Sequence, residues 1–476
     1  MITITAYRDK PVAVFGLGRT GLSVVGALVS GGARVLVWDD DPNRRSDAVK
    51  LGAVPVQPTE EGWQGIVALV LSPGVPLTHP KPHMVVALAE RLGAEVLGDI
   101  ELFARTRPEA AVAAITGTNG KSTTTSLLAH ILTTAGRRVE AGANLGRPVL
   151  DFAVLRAGDA YVLELSSYQI DLTIGLRPQV VALMNISPDH LDRHGGMDGY
   201  VAAKRRLLEM ACPDATLIIG TDDEWSAQLS RDLTASGRKV IEVSVVRELT
   251  DGLFARDGKL YRGGDATPLA DLNGIDTLRG AHNWQNAAVA FAMAEALGLT
   301  PDQIEPTLAG FAGLPHRMEV VARHGDILFV NDSKATNAEA AAHALAAYDD
   351  IYWIAGGIAK QGGIATLAPL FSNLSKAYLI GEAAASFADS LDGSVSHVIS
   401  GDMATAVHGA YEDAQASGGG VILLSPACAS FDQFDSFEAR GDQFRALAQG
   451  IQGNGNSNGN TRHSDQNRRR AAGGAR

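Results

Sequence analysis

Short apolar, β-branched runs alternate with amphipathic stretches along most of the chain, the pattern of strands joined by crossover helices in parallel sheets. Three such series are legible. The first predicts strands at PVAVFG (11–16), ARVLVW (33–38) and VALVLS (67–72), with helices near 20–31 and 83–92. The second predicts strands at AAVAAITG (110–117), RRVEAG (137–142), AYVLELS (160–166) and QVVALMN (179–185), with a helix beginning at Lys121. The third predicts strands at ILFVNDS (327–333), IYWIAGG (351–357), KAYLIG (376–381) and GVILLSPA (420–427). Pro108 and the segment LPHR (314–317) interrupt the pattern, so boundaries are expected near 105–108 and 310–316. The expectation is an α/β protein with domains over 1–106, 107–312 and 313–450.

Composition agrees and narrows the class. A chain of 476 residues holds about three domains at roughly 100–200 residues each. Hydrophobic residues make up 46% and charged residues 20%, which excludes a disordered or fibrous body, and no apolar run approaches the ~18 residues of a membrane span. Cys212 and Cys428 lie too far apart in sequence to form a disulfide framework or a clustered zinc site. With no signal-peptide pattern in MITITAYRDK, the expected compartment is the cytoplasm. The net charge of −12 argues against a nucleic-acid footprint. Residues 451–476 are rich in Gly, Asn and Arg and read as a disordered tail, either a solubilising extension or a contact for an anionic surface.

The 52 glycines direct attention to loops. Gly16-Leu-Gly18-Arg-Thr-Gly21 stands at a strand-to-helix turn, and Asp39 follows at the end of the next strand, 23 residues after Gly16. That spacing fits a dinucleotide, any other nucleotide diphosphate, or a turn that merely packs a helix on its sheet. Ile115-Thr-Gly117-Thr-Asn-Gly120-Lys121-Ser122-Thr123 is a second loop between strand and helix. Its amides can cradle phosphates, Lys121 can neutralise the β/γ charge, and Ser122 or Thr123 can ligate magnesium, although Ile115 replaces the first glycine of the usual phosphate loop.

Polar groups also mark strand ends. Glu164 ends an otherwise apolar strand, where an acid must be metal-bound or paired, for instance with an arginine. His190 has Asp189, Asp192 and His194 as neighbours, and spacing alone does not choose among them. Lys204, beside Arg205 and Arg206 in a helical pattern, reads on composition as a solvated cation. Only ten of the 41 Lys and Arg residues are lysines, yet Lys121, Lys334 and Lys360 all fall in turns at strand ends, where an ammonium suits phosphate or carboxylate. Asn283 and Asn286 share a helix face and can read an adenine edge or cap the helix. His316 and Arg317 add polar groups at the second boundary.

Taken together, GTNGKST, ELSSYQ, NISPDHLDRH, AHNWQN, LPHRME, NDSKATN and SPACASFDQF resemble, in order, the Mur ligase family over residues 9–450. The last two motifs are similar to the branch that adds D-glutamate to a UDP-N-acetylmuramoyl-L-alanine substrate. The resemblance implies a Rossmann-like N-terminal domain, a central P-loop ATPase-like domain with a mostly parallel sheet, and a Rossmann-like C-terminal domain. It reassigns the first glycine loop to UDP, with Arg19, Thr20, Asp39, Ser72, Pro73 and Gly74 contacting that substrate, and Asn144 and His190 near its muramoyl part. Gly117, Thr118, Asn119, Gly120, Lys121, Ser122 and Thr123 would hold ATP, assisted by Asn283, Asn286, Arg317 and Asp332. Ser122 and Glu164 would bind one magnesium and His190 a second, with Lys204 carbamylated. Lys121, His190, Lys204 and Lys334 would be catalytic, and Thr336, Lys360, Ser430 and Phe437 would form the D-glutamate pocket. Cys428 reads as a small buried residue rather than a nucleophile. A cytoplasmic monomer that makes peptidoglycan precursors, without nucleic-acid or membrane partners, is the implied whole. GGIAKQGG (356–363) departs modestly from the family's glycine-rich loop. A folylpolyglutamate-like ligase, a nicotinamide oxidoreductase and a nucleotide-gated binding module each explain a subset of the same residues.

Overall fold

The computed structural model describes residues 1–360 and 362–455. It is a mixed α/β structure with three main sheets, all rich in parallel strands. In the first sheet the order is Val54–Pro55, Arg34–Trp38, Pro11–Phe15, Ala68–Leu71, Glu95–Leu97, parallel throughout. Pro11–Phe15 is central, and its near-continuous apolar sequence follows from burial on both faces. The chain leaves it through helix Arg19–Ser30 toward one edge, then crosses back to Ala68–Leu71 on the other side. At the strand ends of that reversal, Gly16 meets Ser72.

The second sheet has nine strands. Val139–Ala143, Ala160–Glu164, Ala111–Thr116, Val180–Leu183, Thr216–Gly220, Lys239–Ser244 and Leu253–Arg256 run parallel in that order. Lys259–Arg262 and Ala270–Asp271 extend it antiparallel. Helix Ala281–Ala296 packs in the same core as helix Lys121–Thr134, and every residue from Ala287 to Ala294 is buried, which explains its apolar composition on all sides.

These two sheets belong to one compact unit, Met1–Gly313. The division expected between residues 106 and 107 separates the sheets without separating the cores. Phe103 packs edge-on against Tyr161 with ring centroids 5.0 Å apart, and buried Glu101 accepts the amides of Ile174 (2.7 Å) and Gly175 (2.6 Å).

A second unit begins at Leu314. Its sheet runs Glu319–His324, Ile327–Asn331, Gly420–Leu424, Ile351–Gly356, Leu374–Ile380, His397–Gly401, with only Glu319–His324 antiparallel. A short ribbon pairs Ile358–Ala359 with Cys428–Ala429. Helix Phe437–Gly455 runs five residues into the segment expected to be a disordered tail, so that boundary moves to 455. The remainder of the segment, 456–476, lies outside the described residues.

Candidate active site

The loop before helix Lys121–Thr134 is shaped by its glycines. Gly120 is left-handed at φ +82°, and a Cβ there would collide with Asn286 Oδ1. The loop is gripped by the end of strand Val180–Leu183. Asn185 O accepts Thr118 N at 2.9 Å, and Asn185 Oδ1 accepts Asn119 N at 2.8 Å. Thr118 Oγ1 reaches Ser187 O and the Tyr200 hydroxyl, each at 3.2 Å. Lys121 folds back so that Nζ donates to Gly117 O (2.8 Å) and Thr118 O (2.7 Å), which places its charge inside the loop. Ser122 is buried and Thr123 half-buried in the first turn, whose N-cap glycine supplies no side-chain cap. Asn286 and Asn283 are buried behind the loop: Thr124 Oγ1 donates to Asn286 Oδ1 (3.3 Å), Asn286 Nδ2 to Asn283 Oδ1 (3.0 Å), and Asn283 Nδ2 to Arg279 O (3.0 Å). In this structure the two asparagines brace the loop.

Glu164 is buried, and its partner is Asn144 rather than an arginine, with Nδ2 donating to Oε1 at 2.6 Å. Its Oε2 is buried with no hydrogen bond. An orphaned carboxylate oxygen is costly unless a cation or donor joins it. Lys204 departs most from the composition-based reading, being 1% exposed. Its Nζ lies 4.4 Å over the Tyr200 ring and makes no hydrogen bond or ion pair. Burial, with Lys121 nearby, drives its pKa well below that of an ordinary lysine against a weaker pull from Asp189.

His190 occupies a left-handed conformation at φ +52°, half-exposed, with Nε2 3.4 Å from Asp189 Oδ2. Its neighbour His194 is buried instead. His194 Nε2 meets Ser167 Oγ at 2.8 Å, Nδ1 lies 3.5 Å from Asp171, and the ring stacks on Tyr168. Burial above all lowers its pKa to about 4. The structure thereby separates two histidines that spacing could not: His190 faces outward and His194 packs the helix of Lys204 against ELSSYQ.

In the first sheet Asp39 accepts Leu17 N (2.6 Å) and Asp41 N (2.9 Å). Burial raises its pKa, but these amides and Arg44 outweigh that and hold the carboxyl below its usual range. Arg19 is exposed, with Nη1 donating to Gly146 O at 3.3 Å, and half-buried Thr20 follows it in the first turn of a helix that has no side-chain cap. A Cβ on Gly16 (φ +87°) would lie 2.6 Å from Ser72 Cβ, so the glycine lets the loop of Ser72, Pro73 and Gly74 close onto the turn.

In the second unit, Ser425 Oγ donates to buried Asp332 at 2.7 Å, and burial pushes this carboxyl up to about 7 despite Arg317 and Arg440 nearby. Lys334 is exposed, with Nζ 3.9 Å over the ring of Phe437, and Thr336 follows in the same turn, its amide donating to Lys334 O. The Ile358–Ala359 ribbon ties the loop of exposed Lys360 to the segment of buried Ser430.

Sequence reasoning missed Arg440, which is fully buried. Its guanidinium donates to Ser333 Oγ (2.9 Å), Ser333 O (2.8 Å) and Cys428 O (3.1 Å), joining NDSKATN to SPACASFDQF. It sits in a helical pattern among polar residues, and only its closeness to SPACASFDQF hinted at a buried role. Asn185 was missed as the grip on the phosphate loop because its motif drew attention to the aspartates and histidines.

The loop suits a polyphosphate through its open helix start and its lysine. Magnesium prefers oxygen ligands and keeps water or phosphate in its shell. The free oxygen of Glu164 and the Ser122 hydroxyl have that chemistry. No group of three or more His, Cys, Asp or Glu positioned to enclose a metal occurs among the described residues, so phosphate and water would complete the shell.

A family model described as the Mur ligase middle domain matches residues 115–294, and one described as Mur ligase, glutamate ligase domain matches 316–428. The UDP-N-acetylmuramoylalanine–D-glutamate ligase of Caulobacter sp. (strain K31) is 52% identical over 461 residues, 95% of this chain and 98% of that protein. The protein of the same name from Nitrobacter hamburgensis is 50% identical over 461 residues, covering 95% and 99%. Among solved structures, UDP-N-acetylmuramate-alanine ligase MurC from Thermotoga maritima matches with TM-score 0.58 at 18% identity, over 93% of this chain and 99% of that one. MurF from Acinetobacter baumannii matches with TM-score 0.57 at 19% identity, over 88% and 91%.

Proposed function

The chain belongs to the Mur ligase family, and from that membership we propose that it joins D-glutamate to UDP-N-acetylmuramoyl-L-alanine, converting ATP to ADP and phosphate in peptidoglycan precursor synthesis. The observation that carries this reading is identity of about half, across 95% of the chain, to proteins named for that reaction. Three functional regions are proposed: 1–106, Rossmann-like, for the UDP substrate; 107–312, P-loop ATPase-like, for ATP; and 313–450, Rossmann-like, for the amino acid.

In this reading Gly117 to Thr123 hold the phosphates of ATP, with Asn283 and Asn286 bracing the loop and Arg317 and Asp332 contacting the nucleotide. Lys121 spreads charge on the transferring phosphoryl group. Arg19, Thr20, Asp39, Ser72 and Gly74 receive the UDP moiety, and Asn144 and His190 the muramoyl part. Thr336, Lys360, Ser430 and Phe437 receive D-glutamate, with Lys334 at the reaction centre. Ser122 and Glu164 would hold one magnesium and His190 a second, and bound ions would supply charge stabilisation at the phosphoryl oxygens. Lys204 would be carbamylated: its neutral amine adds carbon dioxide and releases one proton, leaving an anion in the site. The burial of this side chain, which lowers its pKa, supports that reading.

A carboxylate is a poor electrophile, so the alanyl oxygen first takes the γ-phosphoryl group, giving an acyl phosphate and ADP. The deprotonated amine of D-glutamate then attacks the carbonyl, and phosphate leaves as the amide forms. Oriented binding of three substrates carries much of the rate. The proposed setting is a monomer in the cytoplasm; no helix among the described residues is long and apolar enough to cross a membrane. A phosphate-release assay tests the reading by omission. Release is expected only with ATP, UDP-N-acetylmuramoyl-L-alanine and D-glutamate together, and equal release without the nucleotide sugar would contradict it.

A further inference from the structure

Arg193 lies three residues after His190 on the short helix Leu191–His194, and two contacts fix its guanidinium. The group lies 4.5 Å over the Tyr168 ring, and Nη1 donates to Gly74 O at 3.1 Å. Tyr168 belongs to ELSSYQ in the second sheet's carboxyl-end region, and Gly74 to the loop after strand Ala68–Leu71 of the first. One half-buried side chain therefore touches loops from both sheets of its compact unit, beside His190. A second contact supports the arrangement, because His79 lies over Gly195 so closely that a Cβ there would be 2.7 Å from Nε2. Of the nearby acids, Asp189 faces His190, Asp171 faces His194 and also lies in the field of Arg206 and Arg193, and Asp192 is exposed. Among the described residues, no hydrogen bond or ion pair takes the other N–H groups of Arg193.

A guanidinium held flat against a ring, with donors unused, matches the oxygens of a carboxylate or phosphate and loses little freedom on binding them. We propose that Arg193 is a further substrate-recognition residue, whose guanidinium binds an anionic group of the nucleotide-sugar substrate, either the diphosphate or the alanyl carboxylate. This rests on the functional reading above. Arg193 acts from the loop that also carries His190, so it joins substrate capture to the placement of that histidine.

The test is isothermal titration of wild type, Arg193→Gln and Arg193→Lys with UDP-N-acetylmuramoyl-L-alanine, with UDP-N-acetylglucosamine, which keeps the diphosphate and carries no carboxylate, and with a non-hydrolysable ATP analogue plus magnesium. Arg193→Gln should weaken the alanylated substrate about tenfold or more and leave the ATP analogue within about twofold. Arg193→Lys should fall between, since an ammonium keeps the charge and loses the planar fork. Equal weakening of both nucleotide sugars assigns the diphosphate, and weakening of the alanylated one alone assigns the carboxylate. Unchanged affinity for both overturns the proposal, as does a parallel loss for the ATP analogue, which marks a collapsed loop. Wild-type protein that binds neither nucleotide sugar overturns the functional reading itself.

Discussion

Lys204, Arg205 and Arg206 are consecutive cations on one helix, and only the first is buried. The helical period explains the difference. Tyr200, Ala203, Lys204, Leu207 and Leu208 form the buried face, spaced i, i+3, i+4, i+7, i+8. Composition hid this, because three adjacent basic residues read as a solvated cluster, and only the family resemblance set Lys204 apart from its neighbours. Lys204→Ala should lower ligase activity by at least about 100-fold, with partial recovery in short carboxylic acids that replace the missing anion. Wild-type activity in the variant would remove Lys204 from the site. Asp99 offers a residue-scale test of stability. Its carboxyl is buried with neither oxygen hydrogen-bonded, and burial raises its pKa from 3.8 to about 6 against the nearby Ile100 amide and Gln169. The folded state thus holds a proton that the unfolded chain releases. The stabilisation is complete below the unfolded pKa and is lost as pH rises through about 6. Asp99→Asn should gain on the order of 2–3 kcal/mol at pH 8 relative to pH 4. Thermal melts at the two pH values check this, and an equal effect at both contradicts it.

At the scale of elements, most of the predicted strands are inner parallel strands whose buried faces enforce apolar runs, although Val139–Ala143 is an edge strand and fully buried Thr216–Gly220 was not predicted. Lys259–Arg262 and Ala270–Asp271, at the edge of the second sheet, left no such signal because they carry mixed, partly exposed residues, and Leu253–Arg256 is too short to give one. The phosphate loop was legible by its glycines, but its bracing by Asn283 and Asn286 was not, because a contact across some 160 residues of sequence has no local pattern. Gly120→Ala tests that bracing. The substitution meets a left-handed backbone, costing roughly 1–2 kcal/mol, and a collision with Asn286. Affinity for an ATP analogue should fall at least about tenfold while nucleotide-sugar binding stays within about twofold. An unaltered nucleotide affinity would show that the loop tolerates a side chain there.

On the scale of the whole molecule, a chain with net charge −12 is proposed to collect three anionic substrates. In that proposal placed groups rather than a general field would do so: Lys121 within its loop, exposed Lys334 and Lys360, and open helix-start amides. In the proposed reading, which amino acid is joined depends on the geometry of few donors in the second unit, since charge alone does not distinguish D-glutamate from its mirror image. Turnover of the purified protein with ATP and UDP-N-acetylmuramoyl-L-alanine, offered D-glutamate, L-glutamate, L-lysine or meso-diaminopimelate in parallel, is therefore the most direct test. Phosphate release and amide product with D-glutamate, at least about 100-fold above the others, is the predicted result; equal turnover with L-glutamate would contradict it.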